Sequence, residues 1–236
     1  MKNIIQKKWL RLVSSSNIMK LNFFYHKIFG EQDFGNIGFN FTNKPARAKV
    51  VQDIINIKNY KSYLEIGTFK DELFNEIICE KKVGVDPFSG GTIRKTSDEF
   101  FSSNDQKFDC IYIDGLHYYK QVKIDILNSI DALNENGIIL IDDCLPNNFF
   151  IQAVPRGQLT WTGDVWKALV EFRTKKDLDC YTCYADGGIG VVLKRQNRNI
   201  LDLDTNNFKK LKFKAFFQNY EKLMNIVNLD QLIKII

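Results

Sequence analysis

The chain has 236 residues, 44% of them hydrophobic and 26% charged, and a net charge of +5; this is ordinary for a globular protein and excludes a largely disordered one. At this length one core with appendages is expected rather than two full domains. No apolar run reaches the roughly 18–20 residues that span a bilayer. Lys7, Lys8, Arg11 and Lys20 break up the N-terminal apolar clusters, which a secretory leader would not allow, so a cytoplasmic location is the default expectation.

Charge is unevenly distributed. Residues 1–30 hold six Lys or Arg and no acid, residues 194–236 hold nine basic and four acidic residues, and the remainder has 18 basic against 24 acidic. An acidic centre thus carries two basic ends, which are either solvated helix faces or a contact for an anionic substrate, partner or membrane surface. Five cysteines, an odd number, suggest free thiols. Cys180 and Cys183 form a lone CxxC in a strand-like segment, where positions three apart face opposite sides of a sheet, so they suit neither zinc nor redox chemistry.

In chain order, residues 1–44 read as a basic, aromatic extension with one or two short helices and a Gly-rich connection in which His26 is structural. Residues 45–195 read as the compact domain and 196–236 as a basic helical extension. "PARAKVVQDIINI" has helical apolar spacing with Pro45 suited to a first turn. Then come strand "SYLEIG", helix "KDELFNEIICE", strand "KKVGVD", a short helix or turn "TSDEFFSSN", strand "FDCIYID", helix "YYKQVKIDILNSIDALN", strand "GIILIDD", helix "TGDVWKALVEFRTKK" and a hairpin over 177–194. This alternation predicts an α/β fold with a mostly parallel sheet covered by helices on both faces.

Ligands of such folds bind outside the carboxyl ends of the strands, where strand order reverses. Each strand here is followed by an acid: Glu65 with Gly67; Asp86; Asp114 with Gly115 and His117; Asp142 and Asp143. Unpaired buried charge is costly, so acids at four strand ends on one edge point to a ligand. Gly67 admits a ligand close to the backbone, and the next helix offers free N–H groups near Thr68 and Phe69. The GxGxxG spacing of a dinucleotide site is absent, and Glu65 would repel a pyrophosphate. Asp86 stands where a ribose-binding acid is expected. A cationic nucleoside without phosphates, such as S-adenosylmethionine, fits these residues.

The run "YLEIGTFKDELFNEI … KKVGVDPF … TSDEFF … KFDCIYIDGLHYYKQVKIDILNSIDALNENGIILIDDCLP … GDVWKALVEF" resembles the class I S-adenosylmethionine-dependent methyltransferases, in particular a bacterial branch associated with O-methylation of sugars and surface polysaccharides. The resemblance implies a Rossmann-like seven-stranded sheet ending in an antiparallel hairpin. It places Glu65, Gly67, Thr68 and Phe69 around the methionine part, Asp86 and Pro87 at the ribose, Ser97 and Asp98 at the adenine, and Asp114, Gly115 and His117 at the methyl-transfer site. Two positions depart from it: Asp71 stands where many relatives have glycine, and Asp142 where they commonly have His.

Methyl transfer to a hydroxyl needs nucleophile and carbon held within about 3–3.5 Å and a route for the proton. His117 is the candidate base. The alternative is Mg²⁺ bound by Asp114, Asp143 and Asp142; metal-dependent relatives have Asn where Cys144 stands. In the long segment 144–167, expected to be either a lid or disordered, Trp161 and Trp166 are candidates to stack on a sugar, Arg156 and Lys167 to meet a phosphate, and Asp164 to be a helix acid or a substrate contact. Trp166 equally fits a helix core position.

The expected partner is a small-molecule or glycan hydroxyl acceptor, phosphorylated or not, in a capsule or lipopolysaccharide pathway. No nucleic acid is expected, because a base-reading motif is absent. Peripheral membrane contact through the basic ends and a homodimer stay open. The competing readings are an inactive methyltransferase-like nucleoside-binding module and, less well matched, a dehydrogenase.

Overall fold

The computed structural model describes residues 16–236; Lys7, Lys8 and Arg11 lie outside the described residues. Helix α1 (Ser16–Phe29) precedes an irregular stretch, and α2 (Arg47–Lys58) leads into the sheet. The chain then runs β1 (Ser62–Ile66), α3 (Glu72–Glu76), β2 (Lys81–Val85), α4 (Ser97–Phe101), β3 (Phe108–Ile113), α5 (Tyr119–Asp131) and β4 (Leu133–Ile141). After α6 (Phe149–Gln152) and α7 (Trp166–Phe172) come the hairpin β5 (Asp179–Cys183) and β6 (Ile189–Leu193), a 3₁₀ turn (Phe208–Lys210), α8 (Phe213–Met224), β7 (Ile226–Val227) and α9 (Leu229–Ile235).

The seven strands form one sheet in the order β2-β1-β3-β4-β6-β5-β7. β1 to β4 are mutually parallel, β6 runs antiparallel to both β4 and β5, and β7 is parallel to β5. The expected Rossmann-like sheet and antiparallel hairpin are both present. The source of the seventh strand differs: Ile226 and Val227 pair with Thr182 and Cys183, so the sheet is completed from beyond residue 195. A two-residue strand is too short to show the period-two pattern by which strands are recognised.

Side-chain alternation divides the core in two. Along β3, Ile111 and Ile113 join Leu64, Ile126, Ile139 and Trp166 on one face, while Cys110 and Tyr112 join Val51, Ile54, Tyr63, Leu140 and Leu232 on the other. Helices α5, α7 and α8 cover the first face and α2, α3 and α9 the second, so every strand from β1 to β6 is sandwiched. Cys180 and Cys183 are buried on opposite faces, and all five cysteines are free thiols.

Polar ties hold the flanking segments to this body. The Glu31 carboxylate accepts the Phe213 and Lys214 N–H groups at the start of α8 at 2.8 and 3.1 Å, a favourable place for an anion. At the other end of α8, buried Arg173 donates to the carbonyls of Lys222 and Leu223, the latter at 2.9 Å, where helix polarity favours a cation. Among the described residues no helix is long and apolar enough to cross a membrane.

Candidate active site

β1 and β3 are neighbours whose following connections leave on opposite sides, so a crevice opens between their carboxyl ends. Gly67 lies there at φ +90°, and a Cβ on it would come within 2.0 Å of the Asp114 carbonyl oxygen. Both facts require glycine. The crevice deepens into a cavity of about 400 Å³ lined by Gly67, Phe69, Asp86, Pro87, Ser97, Asp98, Asp114, Gly115, His117, Gln121 and Arg156. A second cavity of about 350 Å³ adjoins it, lined by Arg47, Glu65, Thr68, Lys70, Glu72 and Asp186, with Gly67, Phe69 and Asp114 shared.

Asp86 is buried, and its carboxylate accepts N–H bonds from Phe69 (3.0 Å), Phe88 (2.7 Å) and Ser89 (2.9 Å). These bonds fold the β1 and β2 connections around it; a carboxylate has about four acceptor sites, so some capacity is left for a ligand. Asp71 sits at φ +63°, and its Oδ1 accepts the Gly91 N–H at 2.6 Å. Asp tolerates this left-handed conformation; here it ties the two loops together, which accounts for an acid where a glycine is commoner. Across the cavity, the Gln121 amide donates to Asp98 Oδ1 (2.9 Å), Asp125 Oδ1 (3.1 Å) and Ser97 Oγ (3.3 Å). Gln121 was not foreseen from sequence; it lies on the first turn of α5, where spacing marks only the apolar face.

Glu65 is 2% exposed and accepts the Tyr63 hydroxyl at 2.6 Å. Burial, with Asp114 and Asp71 nearby, raises its carboxyl from the ordinary 4.5 to about 7, although the Tyr63 bond opposes the shift. The folded protein therefore holds this proton more tightly than the unfolded chain does, and stability falls as pH rises between the two values. Glu65→Gln is expected to remove that fall and to gain roughly 3 kcal/mol over wild type above about pH 8, with no gain in acid. Urea unfolding at both pH values checks this; an equal difference at the two would contradict the burial argument.

Arg47, the first residue of α2, is the cation that meets the strand-end acids. Its Nη1 bonds Asp142 Oδ2 and lies 3.4 Å from Asp114 Oδ2, while Nε donates to Asp186 Oδ2 at 2.8 Å. Burial together with Asp114 and Asp143 pushes the Asp142 carboxyl up, and Arg47 provides the opposing positive charge. The expected Mg²⁺ set of Asp114, Asp142 and Asp143 does not fit this arrangement. Asp142 and Asp114 are turned to a guanidinium, Asp143 faces His117, and Cys144, in the place of a metal-binding Asn, is fully buried with its thiol against the Ile141 and Asp142 carbonyls. No cluster of three or more potential metal ligands is present among the described residues.

His117 lies between two carboxylates. Nε2 hydrogen-bonds Asp114 Oδ1 at 3.0 Å; Nδ1 is 3.1 Å from Asp143 Oδ2, close enough for an ion pair but off hydrogen-bond direction. Burial disfavours the imidazolium, yet the two acids outweigh it and hold His117 well above its usual range. Trp161 lies parallel to the ring at 5.6 Å and 12°.

The 144–167 segment, expected as a lid or as disorder, is instead a folded wall. Trp161 Nε1 donates to the Ala153 carbonyl at 2.7 Å, and Gly163, at φ +61°, passes so close to His117 that a Cβ would lie 1.8 Å from its carbonyl oxygen. Of the candidates here, Arg156 lines the large cavity and Trp161 borders His117. The others are placed elsewhere. Trp166 is fully buried and donates to Gln152, Lys167 pairs with Asp164 at 3.3 Å, and Asp164 accepts the Tyr119 N–H that begins α5. His26 is buried and bonds the Pro155 carbonyl.

Residues 64–144 match the family model described as a methyltransferase domain. The match spans about a third of the chain. Glu65, Asp86, Asp114, His117, Asp142 and Asp143 lie inside the matched span, whereas Arg47, Trp161 and Asp186 lie outside it. The fold recurs in solved structures. Cofactor-bound Rv0187 from MTB is 12% identical with a TM-score of 0.50, over 74% of this chain and 95% of that one. The O-methyltransferase TomG from Streptomyces achromogenes, involved in tomaymycin synthesis and in complex with SAM, is 10% identical with a TM-score of 0.49, over 78% and 92%. An O-methyltransferase from Bacillus cereus in complex with SAH is 12% identical with a TM-score of 0.44, over 78% and 93%. At these identities the likeness is one of fold. No curated protein matches the chain.

Proposed function

We propose that the protein is an S-adenosylmethionine-dependent O-methyltransferase whose acceptor is a hydroxyl of a sugar or related group in a surface-glycan pathway. The observation that carries the reading is the pair of joined cavities at the β1/β3 crevice, rimmed by Glu65, Asp86, Asp98 and Asp114. An acidic, phosphate-averse cleft suits a cationic nucleoside. Thr68 lines the second cavity, and its buried Oγ1, next to Gly91, has no hydrogen-bond partner among the described residues.

On this reading Glu65, Gly67, Thr68 and Phe69 hold the methionine end, Asp86 and Pro87 the ribose, and Ser97 and Asp98, steadied by Gln121, the adenine. When bound, the cofactor supplies a methyl group on a sulfonium leaving group. The chain's own work is to hold the acceptor in line, exclude water and take a proton. His117 receives it, one ring nitrogen exchanging its carboxylate neighbour, Asp114 or Asp143, for the acceptor hydroxyl. Trp161 gives the acceptor an apolar wall against which a sugar ring can lie, and Arg47 keeps the strand-end carboxylates apart and oriented without a metal.

Calorimetry with S-adenosylhomocysteine tests the cofactor half. Binding in the micromolar to low-millimolar range is expected, weakened at least about tenfold in Asp86→Ala through loss of charge-assisted bonds; the absence of any heat would end the proposal. For the acceptor half, transfer of a labelled methyl group to glycan or nucleotide-sugar hydroxyls is the expected result, and cofactor binding with no transfer to any of them would favour a nucleoside-binding module.

A further inference from the structure

We propose that helix α1 docks the protein on an anionic lipid surface. Leu21, Phe24, Tyr25 and Ile28 fall at i, i+3, i+4 and i+7, one stripe of the helix, and are 69%, 60%, 52% and 56% exposed. A stripe at this spacing ordinarily faces a core. In α1 the core-facing side is the opposite one: Asn22 donates to the Arg156 carbonyl at 2.8 Å, buried His26 bonds Pro155, and Phe23 packs on Phe150 at 4.9 Å. The helix is therefore fixed to the protein by its Asn22, Phe23 and His26 side and turns the Leu21, Phe24, Tyr25 and Ile28 stripe outward.

Charge decides the occupant. Lys20 and Lys27 are exposed beside the stripe, and residues 1–30 carry six basic groups and no acid. Apolar side chains beside unopposed lysines fit the boundary between acyl chains and anionic headgroups. A second copy of the chain fits poorly, because pairing two such helices would bring their lysines together. A nucleic acid would match the charge but leave the aliphatic side chains of Leu21 and Ile28 without partners. The adjoining segment adds exposed Val154 (39%) and Leu159 (76%). That same segment carries Arg156, which lines the large cavity, so a bound surface would lie one structural contact from the mouth of the site.

Lipid binding is read without turnover, so it stands or falls independently of the acceptor. Full-length protein is mixed with phosphatidylcholine vesicles, with and without phosphatidylglycerol, and sedimented at low and high salt. Partitioning onto the phosphatidylglycerol vesicles only, and its loss at high salt, is the expected result. Lys20→Ala/Lys27→Ala should weaken it roughly 30-fold and Phe24→Asp/Ile28→Asp at least about tenfold, with thermal unfolding unchanged because these side chains touch little of the core. The proposal is overturned by equal partitioning onto neutral vesicles, by no partitioning at all, by partitioning that both double variants leave intact, or by a wild-type dimer that Phe24→Asp/Ile28→Asp dissociates.

Discussion

Arg47→Ala is expected to lower the unfolding free energy by about 3 kcal/mol at neutral pH. Breaking a buried ion pair from one side commonly costs about 3–5 kcal/mol, because the remaining charge loses its partner inside the protein. The lower end applies here for two reasons: the Arg47 side chain is 34% exposed, and Asp142, 3% exposed, can take up a proton instead of staying charged. The second reason fixes the pH dependence. A proton on Asp142 removes the unpaired charge, so the loss should shrink in acid and grow above neutrality. Arg47→Lys should recover part of the stability, since an ammonium restores the charge but not the planar fork that spans Asp142 and Asp186. Denaturant unfolding at two pH values measures all of this, and an Arg47→Ala variant as stable as wild type would show that the guanidinium is incidental. Because Arg47 lies where a divalent cation was expected, chelator treatment should leave methyl transfer unchanged in the wild type.

The second large effect concerns His117. On the proposed function, His117→Ala should reduce kcat about 10²–10⁴-fold, the usual range for removal of a positioned proton acceptor, while S-adenosylhomocysteine affinity changes only a few-fold. A base must be neutral to act, and the paired acids hold His117 in its charged form to well above its usual range. Activity should therefore climb with pH past neutrality. Asp143→Asn removes one of the groups that stabilise the imidazolium, so the same rise should occur at lower pH. A kcat that survives His117→Ala, or a pH profile that Asp143→Asn does not move, would reassign the proton to another group and leave His117 as part of the wall with Trp161.

The scaffold was legible wherever an apolar run ended sharply. Strands β1 to β4 announce themselves as buried segments stopped by Gly67, Asp86, Asp114 and Asp142, and the sheet gathers those stops on one edge. What could not be read was which charges meet. Arg47 is about 20 residues before Gly67 and belongs to a helix whose apolar pattern is unremarked by it; only tertiary packing places it against Asp142 and Asp186. A trace was present all the same: a basic residue opening a helix with no acid in its first turn opposes the helix polarity and calls for a partner. Trp166 erred the other way. Its spacing with Leu169 and Val170 marked a core position as clearly as its residue type suggested a sugar platform, and the core reading is the one found. Asp164 is similar, because its use lies in beginning a different helix, α5, which no local pattern reveals.

The strand contributed by Ile226 and Val227 has a bearing on how the molecule is made. It covers the outer side of β5, and just beyond it Arg195 and Lys58 donate to the Ile235 and Ile236 carbonyls at 3.0 and 2.8 Å. Until these residues leave the ribosome, the hairpin presents a bare row of amides and carbonyls to any other nascent chain, a recognised route to aggregation. A premature stop ahead of residue 226 would leave that row permanently open, though every acid of the crevice would already have been synthesised.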